Sequence, residues 1–74
     1  MTLDKLPDGS SGIISRVGGR GSLRLRLLEL GLTPGTRVTA VRRAPLGEPM
    51  QLFARGCCFA LRNEQARQIE LEAG

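Results

Sequence analysis

Two adjacent cysteines, Cys57 and Cys58, are the side chains in this sequence with the most obvious capacity for chemistry. Neighbouring residues of an extended strand point to opposite faces, so the pair is a poor chelate for one metal ion. Their Cα atoms are only about 3.8 Å apart, too close for an ordinary structural disulfide. No histidine or further cysteine completes a metal site. We therefore predict that the inward cysteine packs as a small apolar side chain and that the outward one is a weak thiol site.

The other polar groups do not form a catalytic set. Seven carboxylates are scattered over 74 residues, and there is no histidine, tyrosine or tryptophan. A nucleophile would therefore lack a visible activating base. The glycines of residues 18–21 lack the endings and spacing of phosphate-binding loops, and we interpret them as a flexible connection. We predict one domain over residues 1–74 that is not an enzyme and uses no cofactor.

The charge pattern bears on the class of partner. The net charge is +4 and ten of the eleven cations are arginines, but they are spread evenly along the chain rather than clustered. Nucleic-acid binding favours clustered cations and exposed aromatic rings, whereas Phe53 and Phe59 lie in apolar runs that predict core positions. We therefore predict a solvated basic surface and no nucleic-acid partner. A small nucleic-acid-binding barrel remains an alternative hypothesis.

The apolar runs and the cysteines of the sequence predict the compartment of the protein. Residues 1–7 hold no long apolar stretch, and nowhere do eighteen apolar residues run together. The two cysteines do not form a disulfide framework, which favours a reducing environment. We predict a cytoplasmic protein that is not inserted into a membrane.

The most distinctive segment covers residues 43–49, Arg-Ala-Pro-Leu-Gly-Glu-Pro, between two strand-like runs. Its prolines and glycine prevent either strand from continuing and restrict the loop before any partner binds. Leu46, between Pro45 and Gly47, has two possible positions. It either presents an apolar tip to another protein or tucks back to plug one end of a barrel.

The first half of the chain predicts one strand and one helix. The β-branched run over residues 12–17 is typical of a short strand. Ser22 is a candidate N-cap for a helix over residues 22–30, followed by a Gly31 C-cap and a Pro34-Gly35 type II turn. The helix carries two neighbouring leucine stripes, predicted to cover the core or in part to face a partner: Leu23, Leu27 and Leu30, and Leu25, Leu28 and Leu32.

The second half predicts four more short strands. They cover residues 36–42, 50–55, 57–62 and 69–71, with about one helical turn at residues 63–66 before the last. Gly56 predicts a tight hairpin or a bent continuous strand. Residues 6–9 predict a type I turn near the start of the chain. The fold class is therefore mostly β, a small partly open five-stranded barrel with a helix inserted after the first strand.

In their order and spacing these segments resemble the FeoA family of ferrous-iron transport accessory proteins. The resemblance runs over roughly residues 3–72 and is carried by Ile13-Ile14, Leu27-Leu28-Glu29-Leu30-Gly31-Leu32-Thr33-Pro34-Gly35, Ala44-Pro45-Leu46-Gly47-Glu48-Pro49 and Ala60-Leu61-Arg62 with Ala66 and Ile69. It implies an SH3-like barrel. The aspartate usual in the family's loop is Glu48 in this chain, which keeps the charge and lengthens the side chain by one methylene.

The resemblance also implies a partner. FeoA proteins are thought to act with FeoB, a membrane ferrous-iron transporter whose cytoplasmic part is a G protein. We expect this chain to bind and modulate such a transporter, and no metal or catalytic residue is carried over from the family. A weak iron or metal carrier that uses Cys57 or Cys58 with carboxylates remains a further alternative. The predicted partner-binding residues are Ala44, Pro45, Leu46, Gly47, Glu48 and Pro49 of the loop, with Arg24 and Leu28 of the helix.

Overall fold

A computed structural model describes residues 1–72. Its elements are a 3₁₀ helix at Leu3–Lys5, β1 at Ser11–Val17, α1 at Gly21–Glu29, β2 at Arg37–Arg43, β3 at Met50–Ala54, β4 at Cys57–Leu61, α2 at Asn63–Ala66 and β5 at Ile69–Leu71. The strands form one antiparallel sheet in the order β4-β3-β2-β1-β5. The predicted mostly β fold, with five strands and a helix after the first, is confirmed.

The sheet curves through two irregularities in its register. One interrupts the β1–β5 pairing between Ile14 and Arg16, and the other interrupts the β2–β3 pairing between Ala40 and Arg42. Such bulges bend a strand and increase its twist. The two end strands, β4 and β5, are not paired with each other. The barrel therefore stays partly open, as the sequence predicted.

One apolar core joins all five strands. Alternate residues of β3 are buried, namely Met50, Leu52 and Ala54, and so are Val38 and Ala40 of β2. The period of two along a strand places these side chains on the covered side of the sheet.

Only part of the leucine-rich surface of α1 meets this core. Leu27 is fully buried and Leu28 half-buried, whereas Leu25 is 57% exposed and Leu30 45% exposed. Of the two predicted alternatives, cover of the core by both stripes is wrong for these two leucines, and partial exposure is observed instead, because a short helix offers one side to the sheet. The predicted Ser22 cap is also wrong. The helix begins at Gly21 after Arg20, so Ser22 already lies inside its first turn.

The C-terminus of α1 follows the prediction closely. The amide of Gly31 donates to the carbonyl of Leu28 at 3.0 Å, and the amide of Leu32 donates to that of Leu27 at 3.2 Å. Gly31 has φ +92°, the left-handed conformation that this pair of bonds requires. The next turn is closed by the Thr36 amide, which donates to Thr33 at 3.0 Å.

β3 and β4 form the tight hairpin that was one of the two predicted alternatives. Its two-residue turn is Arg55-Gly56, with φ +53° and +78°, which is the type I′ pattern. Both cysteines of β4 are exposed, so the predicted packing of one of them is wrong. Cys57 does face the core side of the pleat, as Leu61 does, but it lies at the turn end of an end strand, where it is exposed.

Two smaller predictions are corrected. The first turn lies one residue later than predicted, since the Ser10 amide donates to the carbonyl of Pro7 at 3.0 Å. Phe53 is 42% exposed on the outer face of β3, because its neighbours Leu52 and Ala54 occupy the inner face. Phe59 is half-buried against the core.

Candidate docking surface

The segment Ala44–Pro49 between β2 and β3, which we call the docking loop, has a defined backbone. The Gly47 amide donates to the carbonyl of Ala44 at 2.8 Å, and the Ala44 amide donates to the carbonyl of Pro49 at 3.1 Å. The two proline rings restrict φ at two of the six positions. The loop is thus closed at its base by hydrogen bonds, so that contact with a partner would require little further ordering.

Arg43 holds the base of the docking loop against the N-terminal segment. Its Nη2 donates to the carbonyl oxygens of Asp4 at 2.6 Å and Leu6 at 3.0 Å. Its Nη1 forms an ion pair with the carboxylate of Asp8. These contacts join residues 35 to 39 positions apart in the sequence.

Glu48 holds the other side of the docking loop. Its Oε1 accepts a hydrogen bond from the backbone amide of Asn63 at 2.7 Å. Asn63 is the first residue of α2, whose early amides have no partner within the helix. The carboxylate therefore stabilises the loop and the helix together, while Glu48 remains exposed.

Leu46 is the apex of the docking loop and is 96% exposed. The alternative in which it plugs the barrel is therefore wrong, because the turn at Ala44–Gly47 directs the side chain into solvent. A leucine held in water on an anchored loop gains about 1.5–3 kcal/mol when another protein covers it. This residue is the strongest apolar contact point that the loop offers.

The two helical residues of the predicted surface lie on a different element. Arg24 is exposed on α1, and its Nε donates to the carbonyl of Val17 at 3.3 Å. Leu28 is half-buried and packs against the core. Removing Leu28 would therefore perturb folding as well as any contact with a partner, whereas Arg24 tests the helix surface more cleanly.

Comparison with known sequences places the chain in a family. The sequence model of the FeoA domain matches residues 1–73. The chain belongs to the FeoA family. It is thereby assigned to a group of ferrous-iron transport accessory proteins, as its sequence motifs had led us to expect.

One FeoA relative is joined to a transporter. A Fe(2+) transport protein A/Fe(2+) transporter FeoB fusion protein of Porphyromonas gingivalis is 40% identical over 72 residues. The match covers 97% of this chain but 8% of that protein. This chain therefore corresponds to a small part of the fusion protein.

Solved FeoA structures share the fold. FeoA of Stenotrophomonas maltophilia, described as an SH3 domain protein and solved with zinc, has a TM-score of 0.87 at 32% identity, with 97% of this chain and 89% of that chain covered. Iron(II) transport protein A of Clostridium thermocellum has a TM-score of 0.92 at 33% identity, with 97% and 44% covered. The predicted SH3-like barrel is confirmed.

The FeoA chain offers no obvious metal centre in the part that the structure describes. Residues 1–72 contain no group of three or more histidine, cysteine, aspartate or glutamate side chains close enough to hold a metal ion. A polar cleft of about 480 Å³ adjoins the docking loop, but its charges balance, with three carboxylates against three guanidiniums: Asp4, Glu48 and Glu64, and Arg43, Arg62 and Arg67. Within the same residues, no helix is long and apolar enough to cross a bilayer.

The sequence does not predict that Arg43 and Glu48 anchor the docking loop. For Arg43 the reason is that two of its acceptors are main-chain oxygens near the N-terminus. Main-chain acceptors carry no sequence signal. For Glu48 a weak signal existed, since Asn63 begins a predicted helical turn and an N-terminus favours a carboxylate.

Proposed function

We propose that this FeoA-family chain binds the cytoplasmic G-protein region of a FeoB-like ferrous-iron transporter and modulates its activity. The chain contributes no chemistry of its own. It acts on the cytoplasmic side by favouring one conformation of the transporter over another, which requires unequal affinity for the two conformations.

The docking loop is the proposed contact, and the exposure of Leu46 is the observation that carries this assignment. Arg43 and Glu48 anchor the loop on both sides, so binding does not have to order it. Leu46 is the most exposed of the large apolar side chains of residues 1–72. Arg24 and Leu28 of α1 supply the second part of the proposed surface.

The fusion protein supports the choice of partner. In that relative a region similar to this chain is part of the same polypeptide as FeoB. Covalent linkage holds two modules at high effective concentration, so even a weak contact between them is populated. If the two proteins are separate chains, their contact must form without covalent linkage. Leu46, exposed on an anchored loop, could supply such a contact.

Binding of the purified cytoplasmic region of the transporter tests the contact by calorimetry. Leu46→Ala should weaken binding about 10- to 100-fold, because burial of a leucine side chain contributes about 1.5–3 kcal/mol. Leu30→Ala is the matched control, since Leu30 is also exposed but follows α1 as its C-cap and is not part of the proposed surface. The contribution of α1 is tested in the same way: Arg24→Ala should weaken binding, and Arg26→Ala is its matched control.

Ferrous-iron uptake in cells tests the modulation. Deletion of the gene should change the rate of uptake, and the wild-type chain should restore it. Leu46→Ala should restore it poorly at equal protein abundance, whereas Leu30→Ala should restore it fully. The proposal is wrong if the two proteins do not associate and uptake is unchanged by the deletion.

The alternative function is nucleic-acid binding. Within residues 1–72 two of the arginines form ion pairs, Arg16 with Glu70 and Arg43 with Asp8. A nucleic-acid role for the remaining basic surface predicts binding that falls steeply with salt. We propose instead that these arginines are solvated and bind no nucleic acid. A salt-dependent shift of DNA or RNA at physiological ionic strength, in the absence of transporter binding, would reverse the assignment.

A further inference from the structure

β4 presents an unprotected strand edge. It is the end strand of the sheet, and its hairpin closes at the pair Ala54–Cys57. In an antiparallel hairpin, every second residue of a strand forms hydrogen bonds with the partner strand, and the residues between them point their amides and carbonyls the other way. In β4, Cys58 and Ala60 therefore direct these groups away from β3. Within residues 1–72, none of these backbone groups has a partner in a turn, loop or further strand.

The opposite edge of the sheet is covered. β5 has only three residues, and the N-terminal segment lies along it. Thr2 forms a bridge with Glu70, and the Leu71 amide donates to the carbonyl of Met1 at 2.8 Å. Proteins commonly protect strand edges with charge, proline, bulges or a covering segment. β4 has none of these within its five residues, so the protection is confined to one end of the sheet.

An apolar groove runs beside the free edge on the outer face of the sheet. Phe53 lies directly opposite Cys58 across the hairpin and is largely uncovered. Val41, Cys58 and Ala60 line an adjoining groove of about 280 Å³. Val41 lies on this face because it alternates with the buried Ala40 along β2. An added strand would therefore find both backbone partners and an apolar surface for alternate side chains.

The charged residues near the edge of β4 favour an acidic partner. Residues 49–62 contain two charged side chains, Arg55 and Arg62, and both are positive. They bracket the uncharged β4 at its two ends. A second copy of this chain would bring another pair of positive charges to the same place, whereas an acidic segment would complement them.

We propose that the free edge of β4 binds an extended acidic segment of a protein partner as an added strand. About six residues span the distance between Arg55 and Arg62 at about 3.3 Å each. The main chain of the segment bonds to Cys58 and Ala60. Its apolar side chains meet Phe53 and the adjoining groove, and its terminal carboxylates approach the two arginines. The site is separate from the docking loop and does not require the transporter to supply the segment.

A synthetic peptide tests this site directly. The probe is an eight-residue peptide with blocked ends that alternates valine and threonine and carries glutamate at both termini. Titrated into ¹⁵N-labelled protein, it should shift the amide resonances of Cys58 and Ala60 and slow their hydrogen exchange at least 10-fold. The same peptide with terminal lysines should bind at least 10-fold more weakly.

Two variants separate the backbone contribution from the charge contribution. Ala60→Pro removes an outward amide, which an edge strand tolerates, and should lower peptide affinity at least 10-fold, while Ala60→Ser retains the amide and should bind normally. Arg62→Glu leaves the backbone unchanged. It should weaken the glutamate peptide and strengthen the lysine peptide, so the proposal stays testable even if the proline variant unfolds.

Several results would overturn the proposal. One is the absence of any change at Cys58 and Ala60 at millimolar peptide, and another is a change confined to the docking loop. Concentration-dependent dimers that protect the same two amides would assign the edge to a second copy. Displacement of the peptide by oligothymidine at 150 mM salt would assign it to single-stranded nucleic acid.

Discussion

Replacement of Arg43 by alanine should destabilise the fold more than any other exchange of an arginine in β2. The side chain is 23% exposed and ties the end of β2 to the N-terminal segment. Alanine leaves the carbonyl oxygens of Asp4 and Leu6 without their donor, and it removes the ion pair to Asp8. The loss combines two charged hydrogen bonds with one partly screened ion pair.

The expected cost follows from these contacts. A hydrogen bond to a charged group contributes about 1.5–3 kcal/mol when buried, and partial exposure brings each of the two carbonyl bonds to about 1 kcal/mol. The ion pair adds about 0.5 kcal/mol, because half of the Asp8 side chain is in solvent. The total is about 2–3 kcal/mol. A domain of this size has about 4–11 kcal/mol of stability, so the loss is a large fraction.

Thermal and urea unfolding measure this loss. Arg43→Ala should lower Tm by about 10–20 °C, at about 4–8 °C per kcal/mol for a small domain. Arg42→Ala is the matched control, since the neighbouring arginine makes one exposed hydrogen bond, from Nε to Gln51 Oε1 at 3.0 Å. It should cost less than about 0.5 kcal/mol. Equal stability of the two variants would refute the reasoning, as would full stability of Arg43→Lys, whose single ammonium cannot span the same acceptors.

Three further predictions concern burial, backbone conformation and thiol access. Leu27→Ala should cost about 2–5 kcal/mol in urea unfolding and Leu25→Ala on the same helix less than about 0.5 kcal/mol, because only the first side chain is buried. Gly31→Ala should cost about 1–2 kcal/mol and Gly31→Asn less, because asparagine tolerates the left-handed conformation better; similar values for both would contradict the proposed capping geometry. Cys57 and Cys58 should both react with a thiol reagent without denaturant, and one slow thiol in the native protein would contradict their exposure.

Local patterns predicted the elements well. The Gly31-Leu32 pair ends α1 as expected because its hydrogen bonds join residues only three to five positions apart. The inward residues of β3 follow from the period of two, and the turn at Gly56 follows from the single glycine between two apolar runs. The break between β2 and β3 follows from the sequence too, since two prolines and a glycine exclude a continuous ladder.

The amino-acid sequence by itself determined the order of strands and turns, the inner face of β3, and membership of the FeoA family. It could not decide which faces another element would cover. Cys57 lies on the core side of its strand yet is exposed, because β4 is at the end of the sheet. Periodicity specifies the direction of a side chain, whereas burial depends on contacts between residues far apart in the sequence. For the same reason the anchoring of the docking loop by Arg43, which reaches across 39 positions to Asp4, was decided by the tertiary structure.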